Sequence, residues 1–140
     1  MVKSVYILDC PQEYEFVVLA INCHSKMYKM CCFLNQIEGL NFEKTDDHEI
    51  SKKRFFSRFK SEDREGNVLN LISNLSSKGY MMPHQKSINY FLIVNLSFWK
   101  IKKDELLSRI REIKNILLVF ELDLEKEKYS DRFIIYDKKN

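Results

Sequence analysis

Apolar positions along the chain fall into three near-continuous runs and two helical stripes, parted by short polar stretches. Residues 15–21, 88–94 and 116–122 are the three runs. They are too short for ordinary helices and rich in β-branched and aromatic side chains, so they predict strands covered on both faces. The middle run is the one around which the rest is organised. It lies in residues 80–96, where Pro83 fixes its own φ and pushes Met82 into an extended conformation, so the chain approaches the strand at a set angle. A helical pattern follows at once and then the third run, the order of a central strand feeding a crossover.

The first helical stripe is Met27, Met30, Cys31, Leu34 and Ile37, steps of three and four along one face. Ser25 is placed to cap this helix, and Gly39 to end it as a left-handed residue followed by Leu40. The second stripe, in residues 100–114, is Leu106, Leu107, Ile110 and Ile113. Asp104 and Glu105 are expected in its first turn, Arg111 and Lys114 in its last, with Glu105 and Arg109 as an i,i+4 pair and Asn115 as the stop.

Between the stripes, residues 40–44 alternate like a half-buried strand and 45–50 read as a polar turn or frayed edge. Residues 54–60 set Phe55 and Phe59 on one side and Phe56 with Arg58 on the other. Residues 62–66 predict a hairpin turn, 67–74 the returning strand and 75–79 a polar connector. At the ends, 3–8 predict an edge strand or arm, 123–131 a charged linker, and 132–136 a short strand or docked tail.

The order is thus β-α-β, a hairpin, and β-α-β within one α+β domain spanning 1–140. The expected architecture is a two-layer sandwich, ferredoxin-like, with right-handed crossovers and both helices on one sheet face. Another two-layer α+β sandwich with the same elements in a different strand order is the runner-up. Such a sheet leaves its second face open for a second copy or another partner.

Composition narrows the classes. Hydrophobic residues make up 45% of the chain, enough for a core without disulfides, and charged residues 31%. The net charge of +3 comes from interleaved signs, unlike the strongly basic footprint of a dedicated nucleic-acid binder. No apolar run approaches the roughly 20 residues that span a bilayer, and the first eight residues lack a signal-peptide core. A cytoplasmic protein with reduced Cys10, Cys23, Cys31 and Cys32 and no membrane contact is expected.

Residues 82–90 carry Met82, Pro83, His84, Ile88, Asn89 and Tyr90 at the spacing Ile-Pro-Glu-x-x-x-Val-Asp-Tyr. In this the chain resembles the IPExxxVDY family of small bacterial proteins. Pro83 and Tyr90 are identical to the pattern, Met82 and Ile88 conservative, while His84 replaces its Glu and Asn89 its Asp. Further stretches are similar to the family: Tyr14, Phe16 and Ile21, residues 28–35 with their closing Leu34-Asn35, residues 56–63, 71–74 and 90–92, and 130–134. The resemblance implies no activity, cofactor or catalytic residue. It puts in doubt any role that needs a carboxylate at position 84 or 89.

Candidate chemistry is sparse. Cys23-His24 and Cys31-Cys32 lack the ligand spacing of a zinc site, and adjacent helical cysteines point about 100° apart. Cys31, on the apolar stripe, is expected in the core. His24, His48 or His84 could pair with a cysteine, but no spacing selects one. Asp46, Asp47 and Glu49 read as a solvated loop rather than a cation site. No glycine-rich phosphate loop exists, and no metal or cofactor is expected.

Residues 51–60 form the one biased segment: Lys52, Lys53, Arg54, Arg58 and Lys60 with three phenylalanines and no acid. Cations interleaved with aromatics can neutralise phosphates and stack bases. The plainer account sends Phe55 and Phe59 into the core and leaves the charges guarding an edge.

The functional expectation is a non-enzymatic protein-interaction or regulatory module working with a protein partner or as a homo-oligomer. The alternative is an RNA-associated factor using the basic segment; an enzyme of unknown type ranks third. Trp99, just past the central strand, is the expected interface anchor. Pro83, His84, Asn89 and Tyr90 are further candidates for contact, and Phe56, Phe91 and Tyr136 are aromatics not all placed inside.

Overall fold

The computed structural model describes residues 14–51 and 53–136. In chain order the elements are β1 (Phe16–Cys23), α1 (Met27–Leu34), β2 (Glu43–Lys44), β3 (His48–Ser51), β4 (Arg54–Phe56) and β5 (Arg58–Glu62). They continue with β6 (Val68–Ser73), β7 (Leu75–Ser76), β8 (Gly79–Tyr80), β9 (Tyr90–Asn95), α2 (Leu96–Arg111), β10 (Ile116–Glu121) and a 3-10 turn, Ser130–Phe133. Among the described residues, six strands form one sheet in the order β10-β1-β9-β6-β5-β2, and every neighbouring pair is antiparallel. The α+β class expected from the pattern holds. Residues 3–8 and their expected strand lie outside the described residues.

β9 lies between β1 and β6, and its first five residues are buried, so the organising run is a central strand. Alternation along the strands builds two cores. Val17, Leu19, Ile21, Leu71, Leu92 and Val94 face one way and join Met30 and Leu34 of α1 with Trp99, Leu106 and Ile110 of α2. Val18, Ala20, Ile72, Phe91 and Ile93 face the other way, where Phe56, Met81, Met82, Ile88 and Phe133 cover them.

That second cover corrects the expectation of an open face. It comes from β4, the loop before β9 and the C-terminal tail, which make an irregular third layer in place of a two-layer sandwich. Phe91 and Phe133 meet edge-on, with ring centroids 4.9 Å apart. Met81 and Met82 looked like the approach to a strand and Ile88 like its first residue; β9 begins at Tyr90, and all three are part of its lid.

Several boundaries move for local reasons. α1 ends at Leu34 because the Asn35 side chain turns away to grip a distant peptide. Its Oδ1 accepts from the Phe42 N–H at 2.6 Å, and its Nδ2 donates to the Phe42 carbonyl at 3.2 Å. Gly39, at φ 91°, serves the turn before Leu40 rather than the helix end. Ser25 is not the cap: Lys26 holds that position without a side-chain bond, and the Ser25 carbonyl accepts from the Tyr90 hydroxyl.

α2 starts directly after β9, four residues ahead of its predicted start, so Leu96 and Trp99 extend the apolar stripe backwards. Asp104 and Glu105 therefore sit mid-helix. Glu105 pairs with Lys102 at 3.5 Å and Arg109 with Glu112 at 3.4 Å, not with each other. The 62–66 turn forms as expected, with Asp63 Oδ1 accepting from the Glu65 and Asn67 N–H groups. The connector after β6 is a small ribbon, β7 with β8.

β10 departs furthest from its expectation. It is an edge strand among the described residues, with Leu117 67% and Leu118 51% exposed.

Candidate functional site

The motif stretch is built around two asparagines. Asn74, fully buried at the end of β6, sends its Nδ2 to the Gln85 and Ile88 carbonyls at 3.0 and 2.8 Å. Its Oδ1 accepts from the Met82 N–H at 3.0 Å, and its backbone bonds Asn89 and Met81. One side chain thereby satisfies the turn that carries Pro83, as buried polar groups require. Asn89 Oδ1 accepts from the Cys23 N–H at 2.8 Å, and the Asn89 N–H donates to the Ile21 carbonyl at 2.9 Å. The oxygen acts as an acceptor, a task a carboxylate could also perform.

Tyr90 is buried, its hydroxyl donating to the Ser25 carbonyl. Burial, then the nearby thiols of Cys23 and Cys31, push its phenol up to about 12. His84 is exposed and its Nε2 donates to Glu127 at 2.7 Å, while Arg132 donates to the Met81 carbonyl at 2.5 Å and lies 4.0 Å from the centre of the Tyr129 ring. The loop and the tail thus latch to one another over the second core. Of the candidates here, Pro83 and His84 reach the surface; Asn89 and Tyr90 hold structure.

Trp99 is 6% exposed within the helix-side core, with Lys103 Nζ 5.7 Å from its ring centre. That corrects its reading as an interface anchor: the longer α2 turns it inward. Phe56 and Phe91 are also fully buried, whereas Tyr136 is 84% exposed.

The basic segment does not form one cationic face. The strand breaks at Ser57, so β4 belongs to a ribbon with β3 and β5 to the main sheet. The expected sides divide: Phe59 packs against the helix-side core as expected, but Phe55 is 48% exposed, and Phe56 and Arg58 are buried. Arg58 Nε donates to the Asp46 carbonyl at 3.0 Å and its Nη1 to Asn70 Oδ1 at 2.8 Å, so its charge is engaged internally. Arg54 reaches the Tyr80 carbonyl at 3.4 Å and Lys60 lies 3.6 Å from Glu62. Lys53 is exposed at φ 63°, and Lys52 lies outside the described residues.

Arg58 and the buried His48 border a cavity of about 550 Å³ with Asp46, Asp47, Glu49 and Tyr136 at its wall. The His48 Nε2 contacts the Arg132 carbonyl at 2.5 Å, which assigns that nitrogen the proton. His48 thus ties the ribbon to the tail, while Arg58 ties the 45–47 turn to β6.

Cys23 and Cys31 are buried and free, Cys32 exposed and free. Burial, then Cys32, raise the Cys31 thiol to about 12, the behaviour of a core residue and not of a nucleophile. Among the described residues no group of His, Cys, Asp and Glu is arranged to hold a metal. None of their helices is long and apolar enough to cross a membrane.

The exposed edge was not anticipated. β10 pairs with β1 through Leu19–Glu121, Ala20–Phe120, Ile21–Val119 and Asn22–Leu118. The Leu122 N–H donates to the Val18 carbonyl at 2.9 Å. By antiparallel alternation, the N–H and C=O groups of Val119 and Glu121 therefore point away from β1, while a register shift between Asn22 and Cys23 interrupts the alternation at Leu117. Five consecutive apolar residues thus combine backbone groups without a strand partner among the described residues with two exposed leucines. Its sequence signal was present but read as burial. Asn74 was missed too, because nothing in a lone Asn after a strand announces a loop organiser.

Comparison of the chain with family models, curated proteins and solved structures returned no match.

Proposed function

We propose that the protein is a non-enzymatic, cytoplasmic interaction module that binds another polypeptide along the edge of its sheet. The observation that carries this reading is β10, whose Leu117 and Leu118 stand exposed beside backbone groups with no strand partner among the described residues. An edge of this kind accepts an added strand, with main-chain bonds supplying affinity and alternate side chains specificity. Soluble proteins ordinarily blunt such edges with charge or proline, and residues 116–120 contain neither.

The order β10-β1-β9-β6, with α1 and α2 sharing one core, supports a ferredoxin-like centre to which β5 and β2 are added. Membership of the IPExxxVDY family is part of the same proposal, resting on Pro83, Tyr90 and the similar stretches around them. The RNA alternative keeps Lys53, Arg54 and Lys60 but loses Arg58 to internal bonds.

Affinity capture from lysate with and without nuclease, using the parent and a Leu118→Lys variant, tests the reading. A protein retained through nuclease treatment and released by the variant is the expected result. Capture that depends on nucleic acid, or that ignores Leu118→Lys, would overturn it.

A further inference from the structure

We propose that the partner on β10 is a second copy of this chain, paired antiparallel across a two-fold axis perpendicular to the sheet; this rests on the reading of β10 as a binding edge. The argument is the charge order along the strand. Lys114 precedes β10, and Glu121 and Asp123 close it. Lys114 and Glu121 are exposed, and neither has an ion-pair partner among the described residues. An antiparallel second copy brings the basic start of one β10 beside the acidic end of the other, twice by symmetry. A parallel copy would set like charges together.

The faces agree as well. Directly opposed residues of an antiparallel pair share a face, so this symmetry keeps both helix layers on the same side of one continuous sheet. With the axis at Leu118 or Val119, Leu118 meets apolar residues of the second β10, and the outward backbone groups of Val119 face Leu117 or Val119 opposite. A closed two-fold interface also consumes both edges, which an open-ended strand addition does not.

The full chain should sediment at twice its 16.9 kDa at about 100 μM, a range suited to an interface this small. Leu118→Lys should return it to monomer with an unchanged circular dichroism spectrum, since the side chain is half in solvent. Lys114→Glu and Glu121→Lys should each weaken the dimer several-fold, and the double exchange should recover most of the loss.

A parent that stays monomeric, or a dimer indifferent to Leu118→Lys, overturns the proposal, as does a double exchange no better than the singles. A monomeric parent that still captures a protein released by Leu118→Lys sinks the second copy but leaves the interaction reading standing. A monomer whose β10 amides are protected in the full chain, and exposed when residues 1–13 are removed, assigns the edge to the chain's own start and overturns both.

Discussion

β9 and β10 are nearly the same strand on paper: each has six residues, five apolar and a polar last one, Tyr-Phe-Leu-Ile-Val-Asn against Ile-Leu-Leu-Val-Phe-Glu. In the fold they have opposite fates. β9 lies between two strands with a core on each face, and its first five residues are buried. β10 has β1 on one side, and of its six residues Val119 alone is buried. An apolar run therefore reports affinity for a sheet, not a place within it. The place is set by topology: α2 leaves β9, passes over the sheet and returns the chain beyond β1, where no further described strand waits. What looks like core at the edge is surplus apolar surface, and it is this surplus on which the proposal of a binding edge rests.

The comparison breaks first at Phe91. Truncating it to Ala removes the edge-on contact with Phe133 and opens a void in the second core, at a cost of about 3–5 kcal/mol in a denaturant melt. That is a large part of the roughly 5–15 kcal/mol holding a domain together. A cost below about 1 kcal/mol would make β9 peripheral and reverse the contrast.

Next comes the loop that lays the lid over β9. Asn74→Ala leaves the Met82 N–H and the Gln85 and Ile88 carbonyls without their buried partner, which should cost about 2–3 kcal/mol, since each unmet group costs about 1–3 before relaxation. Hydrogen exchange should accelerate through residues 81–89 ahead of β9 itself. Uniform exchange across both would show that the loop and strand unfold as one unit.

At the small end, Leu118→Ala in dilute protein should stay within about 0.5 kcal/mol of the parent, the usual range for exposed positions. A loss comparable to that of Phe91→Ala would mean that β10 is covered within the single chain.

The helices, the 62–66 turn and the central strand were legible because each is decided locally, by stripe spacing, turn residues or an uninterrupted apolar run. What was not legible depended on partners far along the chain. Trp99 faces inward because α2 begins at Leu96, and the sequence 95–99 reads equally well as the end of a strand. Arg58 is internal because Asp46 and Asn70, each twelve residues away, supply its acceptors. The lid over Phe91 joins β4, the 80s loop and the tail, three segments with no shared pattern. The candidate site suffered most, since burial of a strand's two faces is a property of its neighbours. Chemistry fared no better: Asn89 and Tyr90, singled out as contact residues, instead bond Cys23 and Ser25.

Amide hydrogen exchange in the Leu118→Lys protein, where a second copy is excluded, tests the contrast between the two strands most directly. The Leu92 and Ile93 amides should exchange only through global unfolding, whereas the outward Val119 amide should exchange faster by about a hundredfold or more. Val119 protected as well as Leu92 in that monomer would contradict the account, because β10 would then be an interior strand and its leucines no binding edge.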